Sequence, residues 1–168
     1  MNNINNKNFN IYYQKKNKKM KNKIEEKQNK IIVKKPPKPE NEIKIPLILS
    51  GEEKRTLVKL CSIPYKYSPF DMIVLIDKYL NTKKGERIYN SIYVPLTKVI
   101  GKNKGYCFIN LVSPKYVLKF YEIFNGLNFR LKNCKKECTV VFSDKQIVDC
   151  SHKDALKRPI IFTDVINN

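Results

Sequence analysis

The sequence predicts an α+β domain in which four strands and two helices follow one another in the order β-α-β-β-α-β. Two observations carry this prediction. Four short segments alternate apolar and polar residues, and two longer segments place apolar residues at helical spacing after a Ser-Pro pair. This order is the split βαβ, or ferredoxin-like, arrangement: a sandwich of a four-stranded antiparallel sheet with both helices on one face. The other face of the sheet is left open.

The first strand and the first helix have clear boundaries. Residues 56–64, "TLVKLCSIP", alternate between apolar and polar side chains and end at a proline. Residues 68–80, "SPFDMIVLIDKYL", have the signals of a helix start, with Ser68 as the N-cap, Pro69 at the first helical position and Asp71 at the capping-box spacing. A broad apolar face follows these signals, so we expect this helix to pack on the sheet.

Two further strands are expected in the middle of the domain, joined by a basic loop. Strand two is predicted over residues 87–96, with Tyr93 directed away from the core. Strand three is predicted over residues 105–111, and its alternation places Tyr106 and Phe108 on one face and aliphatic residues on the other.

The last helix and the last strand complete the predicted order. Residues 113–126, "SPKYVLKFYEIFNG", repeat the Ser-Pro start and close with Asn-Gly, a typical helix stop. Residues 137–143, "ECTVVFS", are expected to form strand four.

The aromatic pair on strand three suggests a use for the open face. In this topology the first and third strands are adjacent and central, so Tyr106 and Phe108 would lie on the uncovered side, where there is no core to fill. Exposed rings offer surfaces on which unpaired bases stack, at about 1–3 kcal/mol per base. Tyr93 either extends this platform or packs at the sheet edge. Phosphates or base edges would be contacted by the nearby lysines, Lys59, Lys102 and Lys104.

Strand three also carries a motif. Residues 104–111, "KGYCFINL", resemble the octamer of RNA recognition motif (RRM) domains, K/R-G-F/Y-G/A-F-V-x-F/Y, at its basic, glycine and first two aromatic positions. The octamer departs at Leu111, where an aromatic is usual. In the companion hexamer, residues 58–63, Lys59 occupies the position that is usually aromatic. The resemblance implies the RRM fold and binding of single-stranded RNA.

A narrower resemblance covers residues 55–145. The features Ile63-Pro64, Lys66-Tyr67, Tyr93-x-Pro95 and "GYCFIN" are similar to the C-terminal RRM of the Mei-two-like family of meiotic regulators. Thr97 stands where that family has an aspartate, and past strand four only Gln146-Ile147 correspond. The resemblance implies mRNA binding and post-transcriptional regulation in meiosis or development.

The charge agrees with a polyanionic partner. The chain of 168 residues has 34 basic and 15 acidic residues, a net charge of +19. A basic folded domain with a basic arm is typical of nucleic-acid binding. The alternative is a solubilising surface from a proteome rich in lysine and asparagine.

The composition divides the chain into three parts. Residues 1–50 are expected to form a disordered Lys/Asn-rich arm with a proline linker, residues 54–150 the RRM-like domain, and residues 151–168 a C-terminal extension. We expect a monomer that binds RNA, with protein partners contacting the helices or the extension and no membrane contact. The alternative function is a protein-interaction module whose extension covers the sheet face.

The sequence gives little support for a metal site or for catalysis. Cys134, Cys138, Cys150 and His152 do not have the spacing of a standard zinc site, so we expect free thiols and no metal or cofactor. His152 is the only histidine and has no orienting carboxylate nearby in sequence, so no enzyme is predicted. The N-terminus has no apolar run typical of a secretory signal, and we expect an intracellular protein of the nucleus or cytoplasm.

Overall fold

Nine helices and strands follow one another in the residues that the computed structural model describes, 38–83, 85–98, 102–129, 136–154 and 158–166. These residues all belong to one compact unit, residues 37–168. After a 3₁₀ helix at Pro39–Asn41, the elements are α1 (Ile45–Leu49), β1 (Leu57–Cys61), α2 (Pro69–Leu80), β2 (Tyr89–Tyr93), β3 (Tyr106–Leu111), α3 (Pro114–Phe124), β4 (Thr139–Phe142) and β5 (Ile160–Ile161).

The sheet is antiparallel, with the strand order β4-β1-β3-β2-β5. The predicted β-α-β-β-α-β order is confirmed, and β1 and β3 are the central pair. The sheet has five strands rather than four, because the C-terminal extension pairs Ile160 and Ile161 with Ile92 and Ser91 of β2. Nothing in the local pattern of this two-residue strand distinguishes it from a loop.

The start of α2 follows from its capping box. The Ser68 hydroxyl accepts a hydrogen bond from the Asp71 backbone N–H at 3.1 Å, and the Asp71 carboxylate accepts one from the Ser68 N–H at 2.8 Å. The helix ends where Asn81 adopts a left-handed conformation. The predicted apolar face is narrower than expected, because Phe70 and Val74 are 70% and 52% exposed.

The core lies between the helices and one face of the sheet. The buried face of α2 consists of Met72, Ile76 and Leu80, and that of α3 of Val117, Phe120 and Phe124. Alternate strand residues, among them Val58, Leu60, Cys107, Ile109 and Leu111, meet these helices and are fully buried. The two-residue period of the strands therefore directs the other side chains to the opposite face.

The N-terminal boundary of the packed region lies earlier than we expected. Residues 1–37 of the predicted disordered arm lie outside the described residues. The remainder of that range, which we also expected to be disordered, is helical over Ile45–Leu49 and packs against α3, with Ile43 and Ile48 buried in the core. Arg55 fixes this segment, donating to the Glu40 carbonyl at 2.9 Å. Burial of these apolar residues explains why the proline-containing segment is ordered.

Candidate nucleic-acid interface

The open face of the sheet brings together the aromatic residues that the sequence singled out. The strand register pairs Cys61 with Tyr106, Lys59 with Phe108, and Phe108 with Tyr93. Lys59, Tyr93, Tyr106 and Phe108 are all half-buried. The rings of three neighbouring positions on two strands therefore form one surface beside a lysine.

The three rings have defined mutual orientations. The Tyr106 and Phe108 centroids lie 5.6 Å apart with the ring planes at 83°, an edge-to-face contact. The Tyr93 and Phe108 centroids lie 6.3 Å apart with the planes only 9° from parallel. Both are favourable aromatic arrangements, so the rings fix one another before any ligand arrives.

Lys59 lies directly over this ring surface. Its Nζ atom is 4.3 Å from the Tyr106 centroid and 5.8 Å from the Phe108 centroid, within cation–π range. Burial, with smaller contributions from Tyr93 and Cys61, raises the pKa of Tyr106 above its usual value of 10, so the phenol remains protonated at neutral pH. The surface thus presents positive charge and a hydroxyl next to apolar rings.

Lys102 and Lys104 are exposed in the β2–β3 connection, next to the Tyr106 end of the open face. Backbone hydrogen bonds join the described ends of this connection: the Thr97 N–H donates to the Lys102 carbonyl and the Lys104 N–H to the Pro95 carbonyl, both at 2.9 Å. Both lysines therefore lie in the loop that leads into β3, within four residues of Tyr106.

Asn103 holds the loop after β1 against this connection. Its fully buried amide donates to the Pro64 and Tyr67 carbonyls, each at 2.8 Å, and its Oδ1 accepts from the Gly105 N–H at 2.6 Å. Gly105 has φ +84°, and a Cβ there would lie 2.8 Å from the Tyr65 ring. Asn103 and Gly105 therefore have structural roles, which depend on contacts with the separate loop after β1.

The C-terminal extension crosses part of the open face. β4 and β5 lie at opposite edges of the sheet, four strand spacings or roughly 19 Å apart. The connecting chain starts at the Leu57 end of β1, where the Gln146 amide donates to the Leu57 carbonyl and accepts its N–H, both at 2.9 Å. Leu57 and Ser91 are 6% and 3% exposed, although their neighbours on this face are only half-buried.

A cavity of about 310 Å³ lies between this crossing chain and the sheet. Tyr93 and Phe108 line it, whereas Tyr106 and Lys59 do not. The extension therefore covers one half of the face, and the half with Tyr106 and Lys59 lies outside the cavity. The sheet face opposite the helices is therefore neither wholly exposed nor wholly covered.

The far end of the extension is fixed by a cluster around Arg87. The Arg87 guanidinium contacts Asp77 at 2.7 Å and Asp164 at 2.5 Å, and it stacks 4.1 Å from the Phe162 ring centroid. The Tyr89 hydroxyl donates to Asp77 at 2.7 Å. Burial raises the pKa of Tyr89, so this hydroxyl remains a donor. No local sequence signal links Arg87 with residues 77 positions away.

The described residues give no support to a metal site. Cys134 lies outside them, and within the described ranges no three histidine, cysteine or acidic side chains are grouped to hold a metal ion. Burial raises the pKa of the Cys107 thiol well above its usual value, so it is not a reactive thiolate. Across the described parts of the chain, no helix is long and apolar enough to cross a membrane.

Comparison with known proteins places these features in a family. Residues 55–156 match the family model described as RNA recognition motif 2. Protein MEI2-like 5 of Arabidopsis thaliana is 32% identical over 131 residues, which are 72% of this chain and 16% of that protein. Protein MEI2-like 4 of the same plant is 34% identical over 101 residues, 60% of this chain and 11% of that protein. The chain thus matches only a small part of each relative's length.

Solved structures show a more distant similarity. The structure of the Rna15 RRM with bound RNA (GU) superimposes with a TM-score of 0.44 at 17% identity, covering 55% of this chain and 86% of that one.

Proposed function

The chain belongs to the RNA recognition motif 2 family, as its resemblance predicted, and from this membership we propose that it binds single-stranded RNA without catalysis. The binding surface is the face of the sheet that the helices do not cover. Tyr106 and Phe108 stack bases, and Tyr93 extends this platform towards β2. Lys59, Lys102 and Lys104 contact phosphates or base edges.

One observation carries this proposal: rings from neighbouring strands lie on the face that the helices do not cover, with Lys59 4.3 Å above one of them. Rings on an open sheet supply stacking energy, and lysines beside them supply attraction to phosphate. A surface that served only solubility would have no reason to expose Tyr106 and Phe108 together.

Fluorescence anisotropy with labelled single-stranded RNA tests the proposal. Tyr106→Ala and Phe108→Ala should each lower the affinity about 5- to 150-fold, because stacking contributes about 1–3 kcal/mol per base. Phe70→Ala is the matched control, since Phe70 is 70% exposed on α2, which packs on the other face of the sheet. Equal affinities for all three variants would refute the assignment of the face.

Phe70 also distinguishes RNA binding from the second candidate function, a protein-interaction module. Phe70 and Val74 are exposed apolar residues one turn apart on α2, so a protein partner that binds the helices would contact them. A protein-interaction module would lose its partner in the Phe70→Ala variant and would show no RNA affinity that depends on Tyr106.

The biological role is proposed by similarity alone. The Mei-two-like resemblance supports an mRNA target and post-transcriptional regulation, and the similarity to Protein MEI2-like 5 agrees with it. Crosslinking the protein to RNA in nuclear and cytoplasmic fractions, followed by sequencing, would identify both target and compartment. Recovery of ribosomal RNA alone would contradict this role.

A further inference from the structure

Tyr65 exposes an aromatic ring at the end of the sheet where β1 ends and β3 begins. It is 54% exposed, more than any of the three rings on the open face. The Lys59 Nζ atom lies 4.3 Å from the Tyr106 centroid, but among the described residues no ring or cationic group lies over the Tyr65 ring. A planar ligand can therefore stack on Tyr65 without first displacing another side chain.

The loop that carries Tyr65 is held in place by Asn103. The Asn103 backbone N–H donates to the Tyr65 carbonyl at 2.9 Å, and the buried Asn103 amide donates to the Pro64 and Tyr67 carbonyls, each at 2.8 Å. The Tyr67 N–H also donates to the Pro64 carbonyl, at 3.2 Å. Because these bonds fix the backbone around Tyr65, a ligand that stacks on its ring does not have to order the loop.

The Tyr65 ring lies close to the start of the open-face ring surface. Its Cε1 atom packs against Gly105, where a Cβ would be only 2.8 Å away. Gly105 immediately precedes Tyr106, and the Cα atoms of consecutive residues are about 3.8 Å apart. A single strand that stacks one base on Tyr106 can therefore place the adjacent base on Tyr65.

The two segments that surround Tyr65 are basic. Residues 62–67 and 95–105 contain no aspartate or glutamate and four lysines, Lys66, Lys98, Lys102 and Lys104, all of them exposed. Lys102 and Lys104 flank Asn103, which bonds to the Tyr65 backbone. The nearest acidic residue along the chain, Asp71, is engaged in the capping box of α2. Phosphates are therefore attracted to the surroundings of the ring.

We propose that Tyr65 is a stacking site for one unpaired nucleobase outside the sheet face, with Lys66 and Lys102 contacting the phosphates beside it. The inference rests on the proposed RNA-binding function and deepens it, because it adds a loop position to the strand bound on the open face. Tyr65 lies between the features Ile63-Pro64 and Lys66-Tyr67 and is not part of the Mei-two-like resemblance. The ring is thus a feature of this chain and not one that the resemblance implies.

A nucleobase suits this position better than a protein partner. Among the described residues of the two segments, Tyr65 is the only exposed large apolar side chain, so it does not belong to an apolar patch that a protein would bury. A single ring among cationic side chains is instead the combination that binds a base by stacking and its phosphates by charge.

Fluorescence anisotropy tests the site with full-length protein and a labelled short RNA that the wild type selects from a random-sequence pool. Tyr65→Leu keeps an apolar side chain against Gly105 but removes the ring, so it should lower the affinity about 5- to 150-fold without lowering the unfolding temperature. Tyr65→Phe keeps the ring and should retain the wild-type affinity.

Two results would overturn the inference in distinguishable ways. Wild-type affinity in Tyr65→Leu, together with a loss of affinity in Tyr106→Ala, would refute the site at Tyr65 and leave the RNA-binding function intact. Failure of the wild-type protein to select any RNA from the pool would refute both.

RNAs that lack a single base identify the nucleotide that Tyr65 contacts. Copies of the selected RNA carry one abasic residue, each at a different position. At one position the missing base should weaken binding to wild type and to Tyr106→Ala but have little further effect on Tyr65→Ala. At the adjacent position the effect should be absent in Tyr106→Ala instead. If no position depends on Tyr65, the inference is wrong.

Lys66 provides a separate electrostatic test. Lys66→Ala should lower the slope of log affinity against log salt by about 0.7, the value for one phosphate contact on a single strand. Lys78→Ala, which removes an exposed lysine of α2, is the matched control and should leave the slope unchanged. Equal slopes for Lys66→Ala and wild type would contradict the phosphate contact beside Tyr65.

Discussion

Lys59 changes the surface that the open face presents to a base, because it occupies the hexamer position where an aromatic side chain is usual in RRM domains. Its ammonium group lies over the Tyr106 and Phe108 rings. An incoming base must therefore displace it from the Tyr106 ring or stack on another surface. Since the lysine stem is flexible, the displaced charge can reach a phosphate of the same strand.

Lys104 is the residue at which the electrostatic part of binding can be measured most cleanly. It is exposed in the loop that leads into β3, so Lys104→Ala removes a charge without disturbing the core. We expect the slope of log affinity against log salt to fall by about 0.7, the value for one phosphate contact on a single strand. Lys78→Ala, an exposed lysine of α2, is the control and should leave the slope unchanged.

Gly105 permits a comparison between backbone strain alone and strain with a steric clash. Gly105 and Gly126 have φ values of +84° and +81°, but only Gly105 would place a Cβ against another residue, 2.8 Å from the Tyr65 ring. We expect Gly126→Ala to lower the free energy of unfolding by about 1 kcal/mol and Gly105→Ala by more, in urea denaturation. Equal losses would show that Tyr65 moves aside freely.

At the scale of single residues, the alternation of "GYCFINL" sufficed to predict that Tyr106 and Phe108 share a face, because side-chain direction in a strand has a fixed period. The role of Gln146 could not be predicted in the same way. Its amide contacts Leu57, 89 positions away in the chain, and such a pair has no local period.

At the scale of elements, the two helices that begin with Ser-Pro differ in their caps. Ser68 has the complete capping box, whereas Ser113 makes no side-chain cap hydrogen bond. Within the described residues its buried hydroxyl has no hydrogen-bond partner. The reciprocal bond of the box in α2 comes from Asp71 at the third helical position, where α3 has Tyr116.

The two caps predict opposite outcomes for the same substitution. Ser68→Ala should lower the free energy of unfolding by about 1 kcal/mol, whereas Ser113→Ala should cost nothing or stabilise, because it removes an unpaired buried hydroxyl. Thermal and urea unfolding of the two variants measure this. A loss of the same size at Ser113 would contradict the capping geometry.

The effect at Ser68 should also depend on pH. The hydrogen bonds from Ser68 lower the pKa of Asp71 below its usual value of 3.8. A carboxyl with a lowered pKa in the folded state stabilises the fold above its unfolded pKa, and this contribution is lost as the pH falls through the folded value. The difference between wild type and Ser68→Ala should therefore shrink in strongly acidic solution.

Some helices and strands could be predicted from the sequence, and others could not. The helices α2 and α3 and the strands β1 to β4 follow from periodicity and end signals. The short α1 helix and β5 do not, because each is stabilised by distant contacts: α1 by burial of Ile48 in the core, and β5 by pairing with β2. Segments of five and two residues have too little period to be recognised alone.

For the molecule as a whole, the N-terminal boundary determines how the basic arm can be tested. Ile43 and Ile48 are buried, so a deletion that reaches residue 45 would remove part of the core. Deleting residues 1–37 instead should flatten the salt dependence of RNA binding, because the removed stretch is rich in lysine, and should leave base preference unchanged. An unchanged salt slope would show that the arm does not contact RNA.

The fifth strand has a consequence that reaches beyond a single molecule. Ile160 and Ile161 pair with Ile92 and Ser91 and so cover the outer edge of β2, whose outward backbone groups would otherwise have no strand partner. A chain cut before Ile160 would present the bare β2 edge as a template for strands of other copies. By pairing with β2, the C-terminal tail therefore removes an exposed sheet edge that would favour aggregation.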